Sequence, residues 1–169
     1  MNRPKPHLKA LDRAPAMCWL ELRVPPLIVW AVFAGALFEV ARLVPTLTFK
    51  VTGSFGFALA LAVLGAAVAL AGVAAFRRAR TTVNPLNPSA SVTVVSSGVY
   101  RFTRNPMYLG FLVALAGWAA YLSNAAAALL LPAFVAYMTR FQIKPEERAL
   151  AEKFGPQFAE YRSRVRRWV

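Results

Sequence analysis

The polar side chains able to do chemistry in this 169-residue chain gather in two short stretches. The first holds Tyr100, Arg101, Arg104, Asn105 and Tyr108; the second, roughly 35 residues further on, holds Arg140, Gln142, Glu146 and Glu147. Guanidinium groups, phenols, an amide and paired carboxylates bind and orient charged or hydrogen-bonding ligands. Metal and thiol chemistry find no support. Cys18 and His7 are single residues of their types, so neither a His/Cys metal cluster nor a disulfide framework can be built within one chain.

The elements that position these stretches are apolar. Hydrophobic residues make up 58% of the chain and charged ones 16%, too apolar a balance for an ordinary soluble domain. The formal charge of +13 does not mark a nucleic-acid binder, because the basic residues flank long uncharged runs. A bilayer core of about 30 Å needs roughly 20 apolar residues in a helix. Residues 24–38 are uncharged, and the run continues through Glu39 and Arg42 to Pro45; Glu39 and Arg42 stand one helical turn apart and are expected to pair. Residues 51–76 form a second uncharged run of 26, with small Gly65, Ala66, Ala67 and Gly72 that admit a neighbouring helix. Residues 105–139 are 35 uncharged positions, too many for one straight crossing, and Ser123-Asn124 marks a turn near their middle. Two short spans at 106–122 and 125–141, folded as a hairpin, fit best.

The fold expected is therefore an all-α integral membrane protein with four transmembrane helices. Its parts are an N-terminal segment at 1–23, spans one and two at 24–76, an ordered loop at 77–104, the hairpin of spans three and four at 105–143, and short interfacial helices at 144–169. Arg3, Lys5, Lys9, Arg13 and Arg23 precede the first span; Arg77, Arg78, Arg80, Arg101 and Arg104 lie between spans two and three; eight basic residues sit at or beyond the end of span four. The alternate loops hold only Arg42 and Lys50. By the positive-inside bias both termini are cytoplasmic, and the expected location is a bacterial inner membrane. The first span, carrying Glu39 and Arg42, is read as retained and not as a cleaved leader.

In the loop, Pro85 and Pro88 precede Val92-Thr93-Val94-Val95, a run too apolar to stay solvated. Beyond span four, Pro145 suits a helix start that Glu146 and Glu147 complement electrostatically, and Phe154-Gly155-Pro156 is expected to stop that helix and start another. In the last helix Phe158, Tyr161 and Val165 share a face, while Arg162, Arg164, Arg166 and Arg167 cover much of the rest, as in a helix lying on an anionic membrane surface. No ionisable group sits at mid-depth in spans two to four, which disfavours an ion or proton transporter. The hairpin brings both polar stretches to one membrane face.

The segment Ser97-Gly98-Val99-Tyr100-Arg101-Phe102-Thr103-Arg104-Asn105-Pro106-Met107-Tyr108-Leu109-Gly110, followed by Glu146-Glu147-Arg148-Ala149-Leu150, Phe154-Gly155, Phe158 and Tyr161, resembles the signature of the isoprenylcysteine carboxyl methyltransferase and phospholipid methyltransferase superfamily. The resemblance is close from about Thr81 to Trp168 and weaker back to Val24. It implies an integral membrane enzyme that takes a methyl group from S-adenosylmethionine, leaving S-adenosylhomocysteine, and gives it to a membrane lipid or lipid-like acceptor. The cofactor pocket it implies is lined by Val92, Thr93, Val94, Val95, Tyr100, Asn105, Pro106, Met107, Tyr108 and Glu146. Arg104, Arg140 and Glu147 are the implied reaction-side groups, with Arg104 placed to bind the methionine carboxylate or an acidic group of the acceptor. Two positions depart from the pattern: Asn105 stands where the eukaryotic enzymes have histidine, and Gln142 where they have a substrate-side arginine, for which Arg140 could substitute one turn away. A carboxylate, a thiol and a phospholipid headgroup amine are all open as acceptors. A non-catalytic membrane scaffold of the same architecture is the alternative from another class.

Overall fold

The computed structural model describes residues 21–50, 53–81 and 90–169. Arg3, Lys5, His7, Lys9, Arg13, Cys18, Pro85 and Pro88 lie outside these. Among the described residues every regular element is helical. Helix α1, Pro26–Leu43, opens on a proline whose missing N–H is no loss in a first turn, and gives way to a 3-10 turn at Pro45–Leu47. Helix α2, Ser54–Arg78, ends on Arg77 and Arg78, cations at the negative pole of the helix dipole. Helix α3, Pro106–Leu122, again starts on proline and is stopped by Ser123 at φ 47°. The buried Asn124 then caps the short α4, Ala125–Ala128, through its Oδ1, while its Nδ2 donates to the Val44 carbonyl and to Thr48 Oγ1 at 2.8 Å each. That one side chain ties the α3–α4 turn to the α1–α2 connection.

Helix α5, Leu130–Met138, passes through a π-turn at Thr139–Ile143 into α6, Lys144–Arg164. The spans expected at 24–45, 51–76 and 106–122 correspond to α1, α2 and α3. The fourth departs from expectation: the helical stretch that starts at Ala125 runs with no loop near 141 as far as the non-helical backbone of Gly155. At 1.5 Å per residue its roughly 30 residues before Gly155 are about 45 Å long, longer than a hydrocarbon core of about 30 Å, so α6 projects beyond the apolar layer. Gly155, at φ 46° and ψ −119°, bends α6 just before Pro156. Beyond the bend Phe158 and Tyr161 pack against Val95 and Tyr100. The apolar face expected to lie on lipid thus finds a protein partner in the loop preceding α3.

Helices α1 and α2 and the stretch from Ala125 are long and apolar enough to cross a membrane, and α3 is a shorter apolar helix of 17 residues. Leu27, Ile28, Val32, Phe55, Phe57, Leu59, Val63, Leu64 and Leu70 project from α1 and α2 with about half or more of their surface uncovered. Lipid, not water, tolerates so continuous an apolar surface. Glu39 and Arg42 of α1 form the expected pair at 3.0 Å.

Backbone contact fixes α2 against α3. The two run antiparallel with Gly65 on Gly110 and Gly117 on Ala58, so that a Cβ built on Gly110 would overlap the Gly65 carbonyl oxygen and come within 2.8 Å of the Ala69 nitrogen. Trp30 and Trp118 tie α1 to α3, donating to the carbonyls of Phe111 and Ala34 at 3.1 and 3.0 Å. Gly110→Ala is expected to destabilise the protein by about 1–3 kcal/mol, the usual penalty for forcing atoms into a filled interface, whereas Gly35→Ala, with nothing within 4 Å of its Cβ position, is expected to be neutral or slightly stabilising. Thermal unfolding of both variants in detergent micelles checks this.

Candidate functional site

Gly98, at φ 61°, lets the chain turn into the 3-10 segment Gly98–Arg101, which drives Tyr100 inward. Its ring meets Phe76 edge-on at 5.2 Å and packs with Val95, Phe158 and Tyr161, whose hydroxyl donates to the Tyr100 carbonyl at 2.8 Å. Burial pushes the Tyr100 phenol well above its ordinary range, and Tyr161 and Glu146 add to the shift. Tyr100 is therefore a neutral wall of the site.

Five residues after Tyr100, Asn105, immediately before Pro106, opens α3. Its backbone N–H donates to Thr103 Oγ1 at 3.2 Å, and its side-chain Nδ2 donates to the Arg167 carbonyl at 2.8 Å. Pro106 and Met107 fill the space left by Gly72 of α2. One turn into α3, the buried Tyr108 hydroxyl donates to Glu146 Oε1 near the start of α6. Of the two polar stretches expected to converge, Tyr108 and Glu146 thus meet.

Glu147, the next residue, faces elsewhere. Its Oε1 lies 3.0 Å from Arg104 Nη2 and 3.1 Å from Arg167 Nε, and its Oε2 accepts from Arg167 Nη2 at 2.7 Å. Burial draws the Arg104 guanidinium below its ordinary value against the pull of Glu147, whereas the hydrogen bond to Glu147 raises that of Arg167. Arg104 is 10% exposed, and its Nε and Nη1 are buried without a hydrogen-bond partner. A buried ion pair left with vacant donors is costly, so this guanidinium is poised to take more acceptor oxygens.

The remaining expected residues divide. Val95 is buried in the Tyr100 cluster with Val94 packed against it, Thr93 is half-buried, and Val92 is 73% exposed. Arg140 turns to Glu21, which it shares with Arg148, and its guanidinium also lies over the Phe141 ring. Gln142 is fully buried, and its Nε2 donates to the Val24 carbonyl at 2.8 Å. Glu21, Arg167 and Trp168 were not expected here. Arg167 reads in the sequence as one of a run of surface cations, and Glu21 as an isolated acid, so neither carries a local signal. An apolar groove of about 670 Å³ lies toward the other end of α3, between Trp30, Phe55, Ala62, Gly117 and Trp118; it holds no ionisable residue besides Tyr121 and is not where the polar groups meet.

A family model described as phospholipid methyltransferase matches residues 53–157. An uncharacterised protein of Haemophilus influenzae is 40% identical over 63 residues, 37% of this chain and the whole of that protein. Protein-S-isoprenylcysteine O-methyltransferases B and A of Arabidopsis thaliana are 31% and 32% identical over 112 residues, 64% of this chain and 55% of each plant protein. The chain thus spans about half the length of the plant relatives. No solved structure gives a significant match.

The anchoring of Arg140 yields a pH dependence. Burial acts to raise the Glu21 carboxyl, but the hydrogen bond from Arg140 and the charges of Arg148 and Arg140 prevail and hold it below its ordinary 4.5. A depressed carboxyl stabilises the fold above its unfolded value, and that contribution is lost as pH falls through the folded value. Glu21→Gln is therefore expected to lower the unfolding temperature at pH 7 and to narrow its gap to the parent chain as pH drops below about 4, measured in parallel acid titrations.

Proposed function

We propose a function for this chain from one premise: it belongs to the phospholipid methyltransferase family, whose model matches more than half of it. It acts as an S-adenosylmethionine-dependent methyltransferase on a lipid-like acceptor at the cytoplasmic membrane face. Helices α1, α2 and α3 and the apolar part of the stretch from Ala125 make four crossings of a bacterial inner membrane. The concentration of Arg and Lys at the end where α2 stops and α3 begins supports that orientation. The observation carrying the reading is the Tyr108–Glu146 hydrogen bond, because it joins the two stretches that hold the family-like residues and sets a carboxylate at the mouth of the hairpin.

The residues fit the cofactor's chemistry. Burial pushes the Glu146 carboxyl up to about 8 despite the hydrogen bond from Tyr108, so its oxygens serve as neutral hydrogen-bonding groups near pH 7 until a cation beside them draws off the proton, and the rings of Tyr100 and Tyr108 wall the same space. The vacant Nε and Nη1 of Arg104 suit a carboxylate. Val94 and Val95 with Asn105, Pro106 and Met107 complete the walls. When bound, S-adenosylmethionine supplies a methyl group on a positively charged sulfur, open to in-line displacement. What the protein adds is orientation, which is worth on the order of 7–11 kcal/mol when two reactants are held in line.

One arrangement favours a headgroup amine over a carboxylate as the acceptor. The two groups at and near the position of the family's substrate-side arginine are engaged elsewhere: the Gln142 Nε2 by Val24, and Arg140 by Glu21.

Calorimetry on the detergent-solubilised chain tests the first reading. S-adenosylhomocysteine is expected to bind, and Glu146→Gln to weaken it roughly tenfold to a hundredfold, the range for losing a charged contact; absence of binding by a folded parent chain would sink the assignment. For the acceptor, labelled S-adenosylmethionine is offered with phosphatidylethanolamine vesicles or with a farnesylcysteine. Label in the phospholipid supports the amine reading, and label in the farnesylcysteine ester overturns it.

A further inference from the structure

Residues beyond α6 leave the helix in extended backbone, with Val165 at φ −122° and ψ 132°. They lie between the start of α3 and the π-turn. The Arg166 carbonyl accepts from the Arg104 backbone N–H at 3.0 Å, the Arg167 carbonyl accepts from Thr103 Oγ1 at 3.3 Å and Asn105 Nδ2 at 2.8 Å, and Trp168 Nε1 donates to Thr139 Oγ1 at 3.1 Å. The tail therefore straps together the elements that carry the site.

The strap also explains the state of Arg104. A guanidinium beside a carboxylate ordinarily closes on both oxygens in a fork. Arg104 reaches only Oε1 of Glu147, while Arg167 takes Oε2 and shares Oε1. Denied the second oxygen, and with its backbone pinned by Arg166, Arg104 keeps Nε and Nη1 unfilled. Two guanidinium groups then face one carboxylate, leaving a net positive charge that one anion would balance. We infer that Arg167 is a positioning residue: by occupying Glu147 it holds two N–H groups of Arg104 open for an oxyanion of a reactant, either the carboxylate of the methyl donor or an acidic group of the acceptor. The inference rests on the methyltransferase reading above.

Calorimetry with the full chain tests it through Arg104→Met, Arg167→Met and the double variant. The ligands are S-adenosylhomocysteine, methylthioadenosine, which lacks the carboxylate, and dihexanoyl phosphatidylethanolamine. If the donor brings the oxyanion, each single variant weakens S-adenosylhomocysteine about tenfold, the double is no worse, and methylthioadenosine is unaffected. If the acceptor brings it, the same loss and the same non-additivity appear with the phospholipid. Wild-type affinities for S-adenosylhomocysteine and the phospholipid in Arg167→Met overturn the inference, as does an equal loss of S-adenosylhomocysteine and methylthioadenosine, which marks a merely structural role. Arg167→Lys, which keeps the charge without the fork and should fall between parent and Met variant, decides the matter should Arg167→Met fail to fold. A parent chain that binds none of the ligands removes the underlying reading, an outcome distinct from the selective losses.

Discussion

An acid set where an apolar helix leaves a bilayer needs a hydrogen-bonding partner, and in this protein Tyr108 donates to Glu146, whose carboxyl burial still pushes up to about 8. The pairing constrains much of the architecture. Helix α3 must begin at Pro106 so that its first turn carries the phenol, and the stretch from Ala125 must return alongside it to bring the acid to the same end. The glycine contact between α2 and α3 serves that arrangement, because a backbone-on-backbone interface leaves little room for α3 to slide. The polar end of the hairpin is thus held by an apolar lock deeper in the helices.

Glu146 and Glu147 are neighbours with opposite surroundings. Successive residues on a helix point about 100° apart, so one acid faces α3 and the other faces the tail. Glu147 is neutralised by two guanidinium groups, whereas Glu146 has a single phenol. Reading the pair as helix-start electrostatics captures part of this, since both lie in the first turn of α6. That turn, however, continues a helix already under way, so the dipole there has no free N-terminus to offer. Their individual partners, and not the helix end, account for the two acids.

What the sequence discloses depends on how local the cause is. Helix α3 was expected at 106–122 and lies there, because Pro106 at one end and Ser123-Asn124 at the other act within a few residues. The join of α5 and α6 was expected to be a break near 141 and is a π-turn. Along this stretch the buried residues run Phe134, Met138, Gln142, Ile143, Pro145 and Glu147. The expectation rested on where the uncharged run ends and on Pro145 as a helix start, whereas a π-turn carries the helix through Thr139–Ile143 so that Pro145 falls in its continuation. The Tyr108–Glu146 meeting was legible in outline, since a hairpin of two spans must bring its ends together. The destination of Arg140 was not, because its partner Glu21 lies 119 residues away.

The tail shows why a run of like charges conceals its exceptions. Arg162, Arg164, Arg166 and Arg167 look alike in sequence, and the first three are exposed. Helix α6 ends at Arg164, and Val165 adopts extended backbone, so side-chain direction there changes from the helical period to alternation. Val165 accordingly packs inward against the Tyr100 cluster, Arg166 points out, and Arg167 turns back in to Glu147. Had the helix continued two residues further, Arg167 would have been carried round and along the axis, away from the direction that alternation now gives it. The placement of one cation at the site thus follows from where a helix stops, and an arginine count alone does not disclose it.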